Sequence, residues 1–260
     1  MKKSIFSKGL VAAVAILMAV PFAADAKKQK KYTVIDVANG ASVSGKVMFE
    51  GPLPADAVEK ILITKDQGVC GEGDRDVVWV DVKDGALRGS FVFLDKIKEG
   101  KAWAPPSDGF LIDQKGCRFT PWAQVVQPGQ ITIRNSDAGV LHNINTREMI
   151  GVDKGRVVKK GIFNFGQPDP GDLVQELKTR RGPYIGINCE AHNFMFGYMM
   201  APMHPYAVVV GEDGSYNLDN IPAGKYTIKA WHPKYGIQKA KITVEAGGSM
   251  QQSFTFKDEG

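Results

Sequence analysis

Short strand-like runs separated by turn residues fill this sequence from Ala41 onward, and they constrain its fold more than any other feature. Residues 42–49 alternate polar with apolar side chains, and residues 77–82 and 89–94 are rich in β-branched and aromatic residues. Pro-Gly and Asp-Gly pairs separate the runs, and no stretch shows a convincing helical periodicity of its apolar residues. The pattern predicts an all-β protein built as a sandwich or barrel.

The first 26 residues have the composition of an export signal. Lysines precede an apolar run at residues 10–20, and small residues lead up to Ala26. The apolar run is too short to span a bilayer. We therefore expect cleavage after Ala26, a basic tail at residues 27–40 and a mature chain in the periplasm without a membrane span. An uncleaved anchor is the alternative.

The formal net charge of +5 gives little information about partners. Most of the excess lysines lie before residue 32, in the signal and the tail, so the remaining chain is close to neutral. A solvated tail explains such a cluster, and no basic groove is indicated. We expect no nucleic-acid partner.

The segment from Cys189 to Met195 carries the strongest chemical signal. It reads Cys-Glu-Ala-His-Asn-Phe-Met and places a thiolate, the imidazole of His192 and a thioether at a spacing of three and three. Soft sulfur donors combined with imidazole suit copper, and a His₂Cys site with a weak axial Met is the blue-copper arrangement. A second imidazole can come from His142, which ends the loop after the strand-like run at residues 124–134.

The chain has three cysteines, which is an odd number for an exported protein. In an oxidising compartment two should pair, and the third needs a reason to remain free. Metal ligation by Cys189 is such a reason. The sequence by itself leaves three pairings open.

The methionines around this motif allow more than one interpretation. Met195 is either an axial ligand or core filler in an apolar run, and Met199 is the substitute ligand. Met199, Met203 and His204 form a possible secondary copper site for loading or delivery, because Met and His together bind Cu(I). The alternative is that these residues pack between two domains.

The sequence pattern changes near residue 205. Strand-like runs and turns from there to the C-terminus predict a second, small β domain of about 55 residues. A domain of that size buries little core on its own. We therefore expect it to be docked on its neighbour rather than tethered.

Several motifs together make the resemblance to a known family specific. They are Asp113-Gln114-Lys115-Gly116-Cys117-Arg118-Phe119-Thr120-Pro121, Asn135-Ser136-Asp137 with Leu141-His142-Asn143, the segment from Cys189 to Met195, and Ile221-Pro222-Ala223-Gly224-Lys225-Tyr226 in the tail. In these motifs the sequence resembles the cupredoxins, which include plastocyanin and amicyanin. Within them it is similar to exported bacterial methylamine-utilisation or plastocyanin-like proteins that carry an appended carboxypeptidase-regulatory-like β domain.

The resemblance implies an architecture and a ligand set. Residues 41–204 would form a cupredoxin Greek-key β-sandwich, followed by a carboxypeptidase-regulatory-like β-sandwich at residues 205–260. One type 1 copper would be held by equatorial His142, Cys189 and His192 and axial Met195. The further implied features are a Cys70–Cys117 disulfide, a solvent-exposed edge of His192 in an apolar patch, and Asn135 and Asn143 as residues that fix the ligand loops.

The function implied is outer-sphere transfer of single electrons between redox partners such as a c-type cytochrome or a dehydrogenase. We expect no enzyme, because the sequence offers no open coordination position and no general base. Two alternatives remain at this stage. One is periplasmic copper binding and delivery through the same site and the Met-rich segment, and the other is a structural module with a decayed site.

Overall fold

The computed structural model describes residues 32–258, and the regular secondary structure of this part of the chain is almost all β. The expected signal peptide and residues 27–31 of the expected tail lie outside the described residues. The all-β prediction is confirmed. None of the described helices is long and apolar enough to cross a membrane.

The described residues form twenty-three strands and two short helical turns. The first strands are β1 (Thr33–Val34), β2 (Ala41–Glu50), β3 (Val58–Leu62), β4 (Asp74–Val78), β5 (Asp81–Lys83), β6 (Ala86–Arg88), β7 (Phe91–Asp95) and β8 (Glu99–Gly100). They are followed by β9 (Leu111–Gln114), β10 (Phe119–Thr120), β11 (Ala123–Val125), β12 (Gly129–Asn135), β13 (His142–Ile150), β14 (Val158–Gln167), β15 (Gly171–Leu177), β16 (Tyr184–Asn188) and β17 (Phe196–Met200). The last are β18 (Ala207–Val209), β19 (Ser215–Ile221), β20 (Gly224–His232), β21 (Gly236–Val244), β22 (Ser249–Gln251) and β23 (Phe254–Lys257). The helical turns are α1 (Gln67–Cys70) and a 3₁₀ turn at Val152–Lys154.

The first sandwich consists of two sheets from the middle of the chain. One sheet has the order β10-β9-β12-β15 and the other has the order β11-β17-β16-β13-β14. Ile112 and Ile133 from the first sheet share an apolar core with Ile144 and Ile185 from the second. This core extends to Cys189 at one end of the sandwich.

The second sandwich combines strands from both ends of the described chain. One sheet has the order β18-β7-β20-β21, and the other has the order β19-β2-β6-β5, with β22 and β23 also paired to β2. Alternating burial along β2 and β19 follows the two-residue period of strands that have one face in a core. Val43 on β2 and Leu218 on β19 are register partners and both lie in that core.

Strand pairing crosses the boundary that we expected at residue 205. Strand β2 and strand β7 fall within residues 41–204, yet β2 pairs with β19, β22 and β23, and β7 pairs with β18 and β20. The physical reason is size, because the strands after residue 205 form too little core alone. The N-terminal strands supply the missing surface.

A third apolar cluster joins the two sandwiches. Phe91 and Trp231 of the second sandwich pack with Tyr184 and Met200 of the first. The buried Lys229 ammonium lies 2.8 Å from Asp153 in the 3₁₀ turn. Within the described residues 32–258 the two sandwiches accordingly form one compact unit, in which the second sandwich is docked on the first.

The end of the expected basic tail is attached to this unit. Strand β1 pairs in parallel with β8. The Tyr32 hydroxyl donates a hydrogen bond to the Lys101 carbonyl oxygen at 2.7 Å. Only the part of the tail before Tyr32 falls outside the described residues.

Candidate metal centre

Three buried donor residues converge at one end of the first sandwich. His142 begins β13, Cys189 follows β16, and His192 lies in the loop before β17. Because β13 and β16 are paired, with Asn145 opposite Asn188, their ends bring His142 and Cys189 side by side. One ligand atom from each of the three residues lies within 4.8 Å of the other two.

Both imidazoles direct the same nitrogen toward this cluster. His142 Nε2 is 2.8 Å from Asp137 Oδ2, and His192 Nε2 is 2.8 Å from Asp66 Oδ2. An Nε2–H that donates to a carboxylate leaves Nδ1 as the nitrogen available to a metal. His192 Nδ1 lies 3.7 Å from Cys189 Sγ.

His142 Nδ1 is the clearest sign that the cluster suits a ligand. This atom is buried and has no hydrogen-bond partner among the described residues. Buried polar atoms without a partner are rare in native structures, because they have given up water and gained nothing. A metal ion between the three donors would satisfy it.

The surroundings of Cys189 favour the thiolate form of its side chain. Burial raises the pKa of its thiol, but the two imidazoles and the backbone N–H of Asn143 lower it further, so the pKa is about 6. The Asn143 N–H donates to Cys189 Sγ at 3.3 Å. The interaction with Cys189 in turn raises the pKa of His192, against the effect of burial and with help from Asp66. A metal cation would bind the Cys189 thiolate and so favour loss of the thiol proton.

The ligand loop closes on itself through backbone hydrogen bonds. The Cys189 N–H donates to the Met195 carbonyl oxygen at 3.1 Å, and the Met195 N–H donates to the His192 carbonyl oxygen at 3.0 Å. Met195 is buried in the same core as Cys189. Its role as the axial ligand stays a prediction.

Asn143 and Asn135 hold the loops that carry the donors. Asn143 Oδ1 accepts the Glu190 N–H at 3.1 Å, which ties the start of β13 to the Cys189 loop. Asn135 Oδ1 accepts the Asp137 N–H at 3.0 Å, and Asn135 Nδ2 donates to the Gln167 carbonyl oxygen at 3.1 Å. Asn135 therefore acts through Asp137 rather than on the cluster itself.

Asp137 binds backbone N–H groups in addition to His142. Its carboxylate accepts the N–H groups of Gly116 at 2.8 Å and Cys117 at 2.9 Å. Burial raises the pKa of Asp137, but these hydrogen bonds and His142 lower it below its usual range. The ionised carboxylate thus links the His142 side of the cluster to the loop that contains Cys117.

The exposed His192 edge that the resemblance implied is not found. The His192 side chain is 1% exposed, because Asp66 contacts its Nε2 and Cys70 and Cys117 lie beside it. The Cys70–Cys117 disulfide is present and anchors the segment that contains Asp66. We missed Asp66 and Asp137 in the sequence. The disulfide was the available signal for Asp66, because it brings residues near Cys70 to the loop beside Asp137.

The Met-rich segment does not gather its donors in one place. Met199 is buried in the core of the first sandwich. The His204 ring lies beside Tyr32 and Tyr206, and its Nδ1 accepts the Tyr206 N–H at 3.3 Å. Met203 is 43% exposed. The structure therefore separates Met199 from His204.

Comparison with known families identifies a match in the C-terminal part of the chain. Residues 205–255 match the family described as BOS complex subunit NOMO1-like, second beta sandwich domain. This finding agrees with an appended β-sandwich domain. No curated protein matches the sequence.

Solved structures that are similar to parts of this chain include cupredoxins and a copper-containing nitrite reductase. A purple cupredoxin from Nitrosopumilus maritimus is 16% identical, with 36% of this chain and 99% of that chain covered and a TM-score of 0.27. A reduced amicyanin variant is 16% identical, with 43% and 98% covered and a TM-score of 0.29.

A copper-containing nitrite reductase from Thermus scotoductus SA-01 is 14% identical, with 39% of this chain and 24% of that chain covered and a TM-score of 0.27. This chain thus spans about a quarter of the reductase. The candidate metal centre is defined by the convergence of His142, Cys189 and His192 within the protein itself.

Proposed function

We propose that this protein is a periplasmic type 1 copper protein that carries single electrons between redox partners and is not itself an enzyme. The observation that carries the proposal is the buried, unpartnered Nδ1 of His142 beside the Cys189 thiolate and His192 Nδ1. Copper bound there would alternate between its +1 and +2 states and so take up and release one electron.

The donor set favours copper over structural zinc. Structural zinc sites use four strong nitrogen or sulfur ligands, whereas this cluster offers one thiolate and two imidazoles. Cys70 and Cys117 lie close to His192, but their sulfur atoms are joined in a disulfide and are not thiolates. The buried Met195 is the remaining soft donor in the loop, as suits a weak axial ligand.

The protein would keep the ligand side chains in fixed positions and away from water. His142, Cys189 and His192 are all buried, and carboxylates or backbone groups fix each of them. Donors that stay in place need little rearrangement when the charge at the site changes by one. Partners such as a c-type cytochrome or a dehydrogenase fit this role and belong to the proposal.

Copper titration of the apoprotein tests the proposal. Cu(II) should produce an intense blue thiolate-to-copper band, and Cys189→Ser should abolish it. Met203→Leu is the matched control, because Met203 is a sulfur-containing residue outside the cluster, and this variant should keep the band. Absence of the band in the unaltered protein, or its survival in Cys189→Ser, would contradict the proposal.

Copper delivery is the second candidate, and the exposed Met203 thioether is the observation that favours it. A delivery protein should pass copper rapidly to an apo acceptor, and Met203→Leu should slow that transfer. An electron carrier should retain its copper in the presence of the same acceptor.

A further inference from the structure

A short stretch of chain covers the imidazole edge of His192, and we call residues 63–75 the cap segment. Asp66 belongs to it and accepts the Nε2–H of His192 at 2.8 Å. The Asp66 side chain is 38% exposed and stands between His192 and solvent. The nitrogen of His192 that faces away from the three-donor cluster is therefore already engaged.

The cap segment is fixed at several points. The Cys70–Cys117 disulfide joins it to the first sandwich. Arg75 donates to the carbonyl oxygens of Cys117 at 2.7 Å and Gly116 at 3.3 Å, and also to that of Cys70. The Arg75 guanidinium lies 4.6 Å from the centroid of the Phe194 ring in the ligand loop. The position of Asp66 is thus set by the fold and not by a free surface loop.

The bond from Asp66 has a predictable chemical effect. A carboxylate that accepts Nε2–H makes the opposite nitrogen, Nδ1, a stronger donor and fixes the orientation of the ring. A negative charge beside the ligand also stabilises a doubly charged ion more than a singly charged one. Asp137 stands in the same relation to His142, so both imidazoles carry a carboxylate on the side away from the cluster.

We propose that Asp66 is a positioning residue of the metal centre, which lowers its reduction potential through His192, and that the cap segment closes the His192 edge to solvent. This inference rests on the proposed function. It also makes the His192 edge a buried contact rather than an open path for electrons to a partner.

Replacement of the charge alone tests the effect on potential. Asp66 has a left-handed backbone with φ of 51°, which Asn tolerates, and the Asn side-chain oxygen can still accept the Nε2–H. In Asp66→Asn the ratio of Cu(II) to Cu(I) affinity should fall about tenfold. That change corresponds to a rise of about 59 mV in a one-electron potential.

Asp74→Asn is the matched control. Asp74 is exposed on β4 and lies four residues after Cys70, as Asp66 lies four residues before it. The control removes the same charge from the cap segment without touching His192. Equal potentials in the two variants, measured by redox titration, would overturn the proposal, and so would a lower potential in Asp66→Asn.

A second measurement does not need copper. In ¹⁵N-labelled apoprotein the His192 Nε2–H should give a proton NMR signal that exchanges slowly with water. In Asp66→Gly, which keeps the left-handed backbone available, the signal should exchange rapidly. Fast exchange in the unaltered protein would overturn the closed edge. If the protein fails to bind copper, the proposed function and the effect on potential both fail, while this signal still decides whether Asp66 covers His192.

Discussion

At the scale of single residues, hydrogen bonds around the cluster decide which atoms are available to a metal. Asp137 and Asp66 engage the outer nitrogens of the two histidines, and the Asn143 N–H is directed at Cys189 Sγ. Asn143 has the widest reach of these residues, because its side chain also donates to Asn164 Oδ1 at 2.7 Å and to the Phe165 carbonyl oxygen at 3.2 Å. One amide thus joins the Cys189 loop to two strands.

Replacement of Asn143 should therefore cost stability as well as site geometry. In Asn143→Ala the Glu190 N–H and the Phe165 carbonyl oxygen lose their partner, and the free energy of unfolding should fall by about 0.5 to 1.5 kcal/mol. Urea denaturation of the apoprotein measures the change. Asn193→Ala is the control, because Asn193 is an exposed asparagine in the Cys189–Met195 loop, to which Glu190 also belongs. Equal unfolding free energies in the two variants would show that Asn143 does not join these elements.

At the scale of elements, β2 is the strand on which the second sandwich depends. It pairs with β19 on one side and with β22 and β23 on the other. The crossing from β22 to β23 passes so near β2 that a Cβ at Gly45 would lie 1.9 Å from the Gln252 carbonyl oxygen. A backbone oxygen cannot move aside as a side chain can.

Gly45→Ala should accordingly destabilise the protein, by about 1 to 3 kcal/mol from overpacking. Gly161→Ala is the control, because Gly161 also lies within a strand and a Cβ there would meet no heavy atom within 4 Å. Thermal unfolding followed by circular dichroism compares them. A loss of stability in Gly161→Ala as large as that in Gly45→Ala would contradict the close approach seen at β2.

Sequence reasoning succeeded where the relevant contact is local. Cys189 and His192 are three positions apart, and the period of a strand is visible within a few residues. The partner of β2 cannot be found in this way, because Val43 pairs with Leu218 only in the folded chain. The same holds for Asp66, which meets His192 from 126 positions away. The disulfide lay between these cases, because the three cysteines left three pairings open and the resemblance to cupredoxins implied Cys70–Cys117.

At the scale of the whole molecule, the two sandwiches should unfold together. They share the apolar cluster around Trp231 and Tyr184, and Lys229 bonds to Asp153 of the first sandwich and Asp95 of the second. A change in the stability of either sandwich should therefore appear in a single transition. Two buried histidines give that transition a pH dependence.

His232 and His204 both favour the neutral form in the folded chain. Burial, with a smaller effect from Lys234, lowers the pKa of His232 to about 3, and burial lowers the pKa of His204 to about 4. An unfolded chain takes up these protons near the ordinary histidine pKa of about 6.5. Between that pH and the folded-state pKa the unfolded state binds more protons, so stability should fall as the pH falls.

His232→Phe should reduce this acid sensitivity. A phenyl ring can keep the stacking on Tyr235, whose ring centroid is 5.2 Å from that of His232, and it cannot take up a proton. At pH 4.5 the proton uptake by an unfolded His232 costs the folded state on the order of 2 kcal/mol. Cys189, with its pKa of about 6, and the carboxylates with lowered pKa values contribute equally in both proteins, so the difference between the two proteins reports His232. The drop in Tm of the apoprotein between pH 7 and pH 4.5 should therefore be smaller in His232→Phe than in the unaltered protein. An equal drop would mean that His232 gains its proton without unfolding, and that its burial does not couple the second sandwich to pH.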